Sequence, residues 1–388
     1  MKRCMTAGYP RNPSNSGGGR ARVSKIDPMS FLARLPDAVV MAPMTKGSNL
    51  PYRRLCVELG AEITVSEMTL ARRLKQQKQG EFALIRRFEG EPCFGVQLAS
   101  VKPDEAGWAA ALVASRNVDF IDINCGCPID YFTRKGLGAS LGRQPNRLRR
   151  LVEALKVAAG PIPVTAKIRL GWSDSDRNYA KQARAAVDGG AAAIFVHGRT
   201  RNARYRFAAD WNAIGEIAAA VPVPVIGNGD LLFPHEIDAA RRLSGCAAVM
   251  VARAALIKPW IFREATRGYW DITADERLAL YRRYATLARE HWGADDHGLA
   301  RVRTFIAWHL DFWCRYVPRF ADGTWPTMQE RTSAFVPRSP LEALLSRPDL
   351  SAFEYLIERL ALDRPVDPDE VPDPAERRAP VELSEVEG

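Results

Sequence analysis

Eight short apolar runs recur along the first two thirds of the chain, at residues 39–42, 62–65, 94–98, 118–123, 164–168, 192–196, 224–226 and 247–251. Each has strand length, and most are rich in β-branched residues. Between several of them lie Ala/Leu/Arg-rich stretches with helical spacing, such as residues 146–159 and 179–188. Strand alternating with helix eight times over about 225 residues predicts a (β/α)8 TIM barrel. A doubly wound sheet is the alternative that periodicity leaves open. From about Asp271 the pattern changes: residues 274–292, 298–316 and 341–362 read as helices with no strand among them. Beyond Leu362 the chain is Pro-rich and acidic, the composition of a disordered tail. The organisation expected is a basic disordered arm (1–30), a barrel (31–270), a small all-helical domain (271–362) and the tail (363–388).

Charge adds a partner to this picture. The net charge is +10, yet residues 363–388 hold nine acidic and three basic residues, which leaves +16 on residues 1–362. Such an excess favours a polyanion. The alternative is a basic enzyme without one. No run of about 18 apolar residues exists to span a membrane. The first 28 residues lack the apolar stretch of a secretory signal. Seven scattered cysteines in a chain of 388 residues suggest free thiols in a reducing cytoplasm. The spacing of Cys125 and Cys127, with no second Cys/His pair nearby, argues against a zinc site.

The carboxyl ends of barrel strands are where this fold builds active sites. The fourth run ends in Asn124-Cys125-Gly126-Cys127-Pro128, where Gly126 and Pro128 break the strand. It leaves a cysteine able to act as acid or nucleophile. The first run leads into Ala42-Pro43-Met44-Thr45, the third ends at Gln97 and the fifth carries Lys167 and Arg169. The sixth gives His197-Gly198-Arg199. The last two give Gly227-Asn228-Gly229-Asp230 and Ala252-Arg253. Glycines that let N–H groups approach, followed by an arginine one strand later, suit a phosphate. A tight turn without ligand is the competing reading. Lys167 is rarely found buried without a partner. It could face the N1/O2 edge of a flavin or form a Schiff base, while His197 could bond flavin or phosphate or be a packed histidine. The amide of Gln97 offers donor and acceptor to a pyrimidine edge.

Together these residues resemble the tRNA-dihydrouridine synthase family. The shared pieces, in family order, are Ala42-Pro43-Met44, Val96-Gln97-Leu98, Asn124 to Pro128, Lys135-Gly136-Leu137-Gly138-Ala139, Lys167-Ile168-Arg169, His197-Gly198-Arg199, Gly227 to Asp230 and Ala252-Arg253. Asp122-Ile123-Asn124, Lys258-Pro259-Trp260, His291-Trp292-Gly293 and Cys314-Arg315-Tyr316-Val317-Pro318 resemble the third eukaryotic-type branch, which acts on the tRNA variable loop. The resemblance implies reduction of uridine to 5,6-dihydrouridine with FMN and NADPH. FMN would be held by Pro43, Met44, Thr45, Gln97, Lys167, His197, Asn228, Gly229, Asp230, Ala252 and Arg253, with Cys127 as the acid. The RNA would meet Asn124, Arg134, Lys135, Arg169, Arg199 and Arg201, and the helical domain would orient it.

The sequence departs from the pattern in places. Residues 1–30 carry none of the eukaryotic enzymes' zinc-finger cysteines, so tRNA is expected to be gripped differently, or the substrate to be another RNA such as ribosomal RNA. Ala254 and Ala139 stand where glycine, or glycine or serine, is common. The expected protein is a cytoplasmic monomer without metal. A small-molecule flavin oxidoreductase of the dihydroorotate dehydrogenase kind and an RNA-binding protein with an inactive barrel are the competing readings.

Overall fold

In the computed structural model, which describes residues 29–328 and 335–374, eight parallel strands close into a ring. They are β1 (Val39–Met41), β2 (Ile63–Val65), β3 (Cys93–Ala99), β4 (Phe120–Cys125), β5 (Val164–Arg169), β6 (Ala193–His197), β7 (Val225–Asn228) and β8 (Ala248–Val251). Each strand pairs with its successor, and Val39 of β1 lies opposite Val249 of β8, so no edge is left unpaired. The expected barrel is the fold observed. A two-residue pairing of Thr69 and Leu70 with Leu98 and Ala99 extends β3 at the rim. The strands are buried on both faces, which is why they read as continuous apolar runs rather than alternating ones. The fourth strand sits two residues later than its apolar run. Asn117 has a positive φ of 55°, and the ladder proper begins at Phe120 and reaches Cys125.

The predicted helices 274–292 and 298–316 appear as Ala274–Trp292 and Asp296–Trp313. Thr273 and Glu276 cap the first reciprocally, and Asp295 caps the second, each satisfying N–H groups that lack helical partners. The third predicted helix is two, Pro340–Leu345 and Leu350–Ala361. Pro348 interrupts it, since proline offers no N–H to the helix, and Asp349 restarts it by accepting from Ala352 N at 3.1 Å.

These helices share one continuous apolar core with the barrel. Tyr52, on helix Leu50–Glu58 of the barrel, stacks on His309 at 4.1 Å, and Tyr281 stacks on Trp313 at 4.0 Å. At the edge of this seam Arg283 pairs with Glu58 and Arg54 with Glu290. Among the described residues no helix is long and apolar enough to cross a membrane. Residues 1–28 of the expected arm and residues 375–388 of the expected tail lie outside the described residues.

Candidate active site

Parallel register brings residues of neighbouring strands to matching heights. Gln97 lies opposite Asp122, which lies opposite Thr165; Asn124 lies opposite Lys167; Arg169 lies opposite His197, which lies opposite Asn228. Side chains on one row can then bond across the ladder. Gln97 Nε2 donates to Asp122 Oδ2 at 2.8 Å, Thr165 Oγ1 donates to Asp122 Oδ1 at 2.7 Å, and Asn124 Nδ2 donates to Gln97 Oε1 at 2.7 Å. Burial pushes the Asp122 carboxyl up to about 6, although both donors and Lys167 pull the other way. The Gln97 amide is thereby locked in one orientation.

Asn124 also shapes the loop after its strand. Its Oδ1 accepts the N–H groups of Gly126 at 3.2 Å and Cys127 at 2.9 Å, the turn chemistry typical of asparagine. Arg169 Nε donates to the Gly126 carbonyl at 2.6 Å, and Ala139 N to the Cys127 carbonyl at 2.9 Å. Cys127 packs with Met68 and Ala99. Burial pushes its thiol up to about 11, against an Ile129 N–H and the charges of Arg169 and Lys167. Cys125, in contrast, belongs to the main core and its Sγ points to Ile123 O at 3.7 Å.

The return turn requires glycine at 138. Gly138 has φ +58° and ψ −133°, a region essentially reserved for glycine. A Cβ there would stand 2.5 Å from the Cys127 carbonyl oxygen and 2.8 Å from its Cβ. We expect Gly138→Ala to lose about 1–3 kcal/mol in urea unfolding and, by displacing Cys127, to slow turnover at least roughly tenfold. Unchanged turnover would show that this turn does not hold the thiol.

Lys167 is 6% exposed. Its ammonium makes no hydrogen bond among the described residues. Burial, then the nearby Arg169, pulls it down to about 8. His197 lies beside Arg199, Nε2 to Nη1 3.4 Å apart. Burial, then Arg169, Lys167 and further arginines, hold it well below the usual histidine range, so it is neutral at pH 7. On the first strand Met44 N donates to Ser48 Oγ at 2.8 Å, which donates to Ala42 O at 2.8 Å. This fixes the buried Pro43-Met44 turn, while Thr45 is partly exposed at the rim.

A narrow cleft opens beyond β7 and β8, lined by His197, Asn228, Gly229, Asp230, Ala252 and Arg253 among others. Asn228 Nδ2 is tied to Met250 O at 2.9 Å. Gly229 has φ +141°, and a Cβ on it would meet Ala209 Cβ at 2.4 Å. The backbone N–H groups of Gly229 and Asp230 have no partner among the described residues. Asp230 receives Arg253 Nη2 at 2.7 Å, the Arg199 guanidinium and Ala209 N at 2.8 Å. Burial opposes ionisation of Asp230, but Arg199 and Arg253 hold its carboxyl below the usual range. Two guanidiniums thus face one carboxylate. These amides and a surplus of one positive charge over Asp230 fit a phosphate. The donor set thus suits FMN, with the phosphate in this cleft and the locked Gln97 amide and Lys167 available to a flavin ring.

The structure places two of the residues expected at the RNA inside the barrel. Arg169 and Arg199 are each 2% exposed. Arg169 donates to Gly126 O and Thr200 O, and Arg199 to Phe207 O and Asp230. They brace the site from inside. Asn124 is likewise buried, with its oxygen and one amide hydrogen bonded within the chain. Arg201 is half-buried, donating to Pro128 O at 3.2 Å and pairing with Asp130. Arg134 and Lys135 are exposed, and Lys135 Nζ lies 3.6 Å from the centre of the Tyr131 ring. Glu67 escaped the sequence reading. It follows β2 at the same rim, accepts Lys46 N at 2.6 Å, and burial pushes it up to about 7. An acidic residue two positions past an apolar run was its only signal.

A family model for dihydrouridine synthase (Dus) matches residues 40–310, more than half of the chain. The chain belongs to the dihydrouridine synthase family. Within the family it is similar to proteins named tRNA-dihydrouridine(47) synthase, with NAD(P)(+) in their names. The one from Coprinopsis cinerea is 41% identical over 325 residues, covering 80% of this chain and 48% of that protein. The one from Candida albicans is 39% identical over 342 residues, covering 81% and 55%. A relative from Oryza sativa subsp. japonica, named as like this synthase, is 39% identical over 318 residues, covering 80% and 46%. The chain spans about half the length of the curated relatives it matches. The match to the dihydrouridine synthase model takes in the whole rim from Pro43 to Arg253.

Proposed function

We propose that this protein reduces uridine in tRNA to 5,6-dihydrouridine, with FMN as cofactor and NADPH as electron donor, acting as a monomer in the cytoplasm. The observation that carries the reading is Cys127: a thiol held protonated, at the rim of a barrel whose opposite side offers a phosphate cleft. Bound FMN, once reduced by NADPH, would supply hydride from N5 to uracil C6. Cys127 then gives its proton to C5, completing saturation of the C5=C6 bond. Asn124 and Arg169 hold the loop that aims the thiol. Lys167 and Gln97 hold the flavin ring; His197, Asn228, Gly229, Asp230, Ala252 and Arg253 hold its ribityl phosphate, and Pro43, Met44 and Thr45 line its flank.

A uridine inside folded tRNA must leave its stack to enter such a pocket. Exposed Arg134 and Lys135, with Arg201 behind them, are suited to the phosphates beside it, and residues 271–362 to orienting the RNA body. The free thiols of the described cysteines suit the cytoplasm.

The test is dihydrouridine mapping by mass spectrometry in tRNA and ribosomal RNA, with and without the gene. Loss at tRNA position 47, the position in the relatives' names, is the expected result. Loss confined to ribosomal RNA would overturn the substrate, and no loss in either would overturn the activity.

A further inference from the structure

We infer that the Tyr205 hydroxyl is a ligand of the cofactor phosphate and sets the preference of this protein for FMN over riboflavin. The inference rests on the flavin reading above.

Tyr205 sits on the loop between β6 and helix Trp211–Ala220, and neither the rim motifs nor the resemblance pointed to it. The loop is folded down over the phosphate cleft. Arg199 Nε donates to Phe207 O at 2.7 Å, and Ala209 N donates to Asp230 Oδ2 at 2.8 Å. Both bonds tie the loop to residues of the cleft. The Tyr205 ring covers the guanidinium of Arg253 at 3.9 Å and approaches that of Arg199 at 5.6 Å. It lines the same cleft as Asn228, Gly229 and Arg253.

Its hydroxyl oxygen is buried and has no hydrogen-bond partner among the described residues. Buried hydroxyls almost always find one, and leaving one unmet is unfavourable. Burial, the main influence on this phenol, keeps it protonated, so it is a donor in need of an acceptor. The charged groups that act on it include the Arg253 and Arg199 guanidiniums, both paired with the Asp230 carboxylate. A phosphate monoester in the cleft offsets the excess of these two arginines over one carboxylate and supplies the missing acceptor. A sugar hydroxyl would leave the charge unbalanced. Covered by the ring, the phosphate is screened from water, which strengthens each of its bonds.

The test uses the full chain freed of flavin, titrated with FMN and separately with riboflavin while flavin fluorescence is followed. Tyr205→Phe keeps the ring over Arg253 and removes only the hydroxyl. The expected result is an FMN Kd raised on the order of ten- to hundredfold, with the riboflavin Kd unchanged. Unchanged riboflavin binding also shows that the variant is folded. An unaltered FMN Kd overturns the inference, and so does an equal rise for both ligands, which would mark Tyr205 as part of the loop's packing. If the unsubstituted protein binds neither ligand, the flavin reading falls first and the inference with it.

Discussion

Cys127→Ala is expected to lower dihydrouridine formation by roughly 10²–10⁴-fold, the usual contribution of a positioned proton donor, while reduction of bound flavin by NADPH continues at its normal rate. The argument starts from burial. An ordinary thiol near 8.5 would lose part of its protons at mildly alkaline pH. Cys127, packed on Met68 and Ala99, is pushed up to about 11. The acid form therefore persists across the physiological range. Once the proton leaves, the thiolate needs compensation, and Arg169 and Lys167 are the charges near it. Lys167 is itself pulled down to about 8, so it is charged below that pH and neutral above it. The two groups predict a pH profile with an unusual assignment: kcat/KM of the free enzyme declines above about 8 because Lys167 loses its charge, not because Cys127 ionises. A profile flat to pH 10 would remove Lys167 from the mechanism. Half-reactions measured by stopped flow separate the two steps, and normal turnover in Cys127→Ala would remove the thiol. Slow flavin reduction in that variant would instead indicate a disturbed pocket.

Much of the barrel was legible because its strands are buried on both faces and leave continuous apolar runs, each followed at once by polar or special residues. That succession put Gln97, Asn124, Lys167, His197 and Asn228 on one rim before any register was known. Depth was not legible. Arg169 and Arg199 read as RNA-contacting arginines in sequence, yet both are buried and donate to backbone carbonyls, Arg199 also to Asp230, contacts set only by closure of the ring. Asp230 follows a glycine-rich turn as a phosphate-site residue would, but its carboxylate is turned to two arginines. Tyr205 and Glu67 fall where no periodicity applies, on a loop and two residues beyond a strand, so their burial emerges only in three dimensions. The last predicted helix failed at Pro348 because the apolar spacing continues across the break: Leu345 and Phe353 both face the core, and periodicity alone joined them.

Arg53→Met should destabilise the fold by about 3–5 kcal/mol, the usual consequence of removing one member of a buried ion pair. Arg53 is buried on helix Leu50–Glu58, with its ring-facing side over Phe94 at 4.4 Å. Nε donates to Glu91 Oε1 at 2.8 Å, Nη1 to Ser48 O at 2.9 Å and Nη2 to Arg86 O at 2.6 Å. Methionine fills similar space but leaves the buried Glu91 carboxylate with the Thr64 hydroxyl at 2.5 Å and the Phe88 backbone N–H at 3.3 Å as donors. Glu91→Gln leaves the complementary charge unpaired and should cost a similar amount. In Arg53→Met/Glu91→Gln neither charge remains, so the double variant should be clearly more stable than the sum of the two losses predicts. Urea unfolding of the four proteins measures this, and strict additivity would refute the pairing. The effect reaches the site as well. Ser48 receives Arg53 through its carbonyl and fixes Ala42 and Met44 through its hydroxyl, so a loosened Arg53 should also weaken FMN binding by the Pro43-Met44 turn. Both effects have one origin: this arginine joins the barrel's outer helix to the loop that carries the first strand's contribution to the rim.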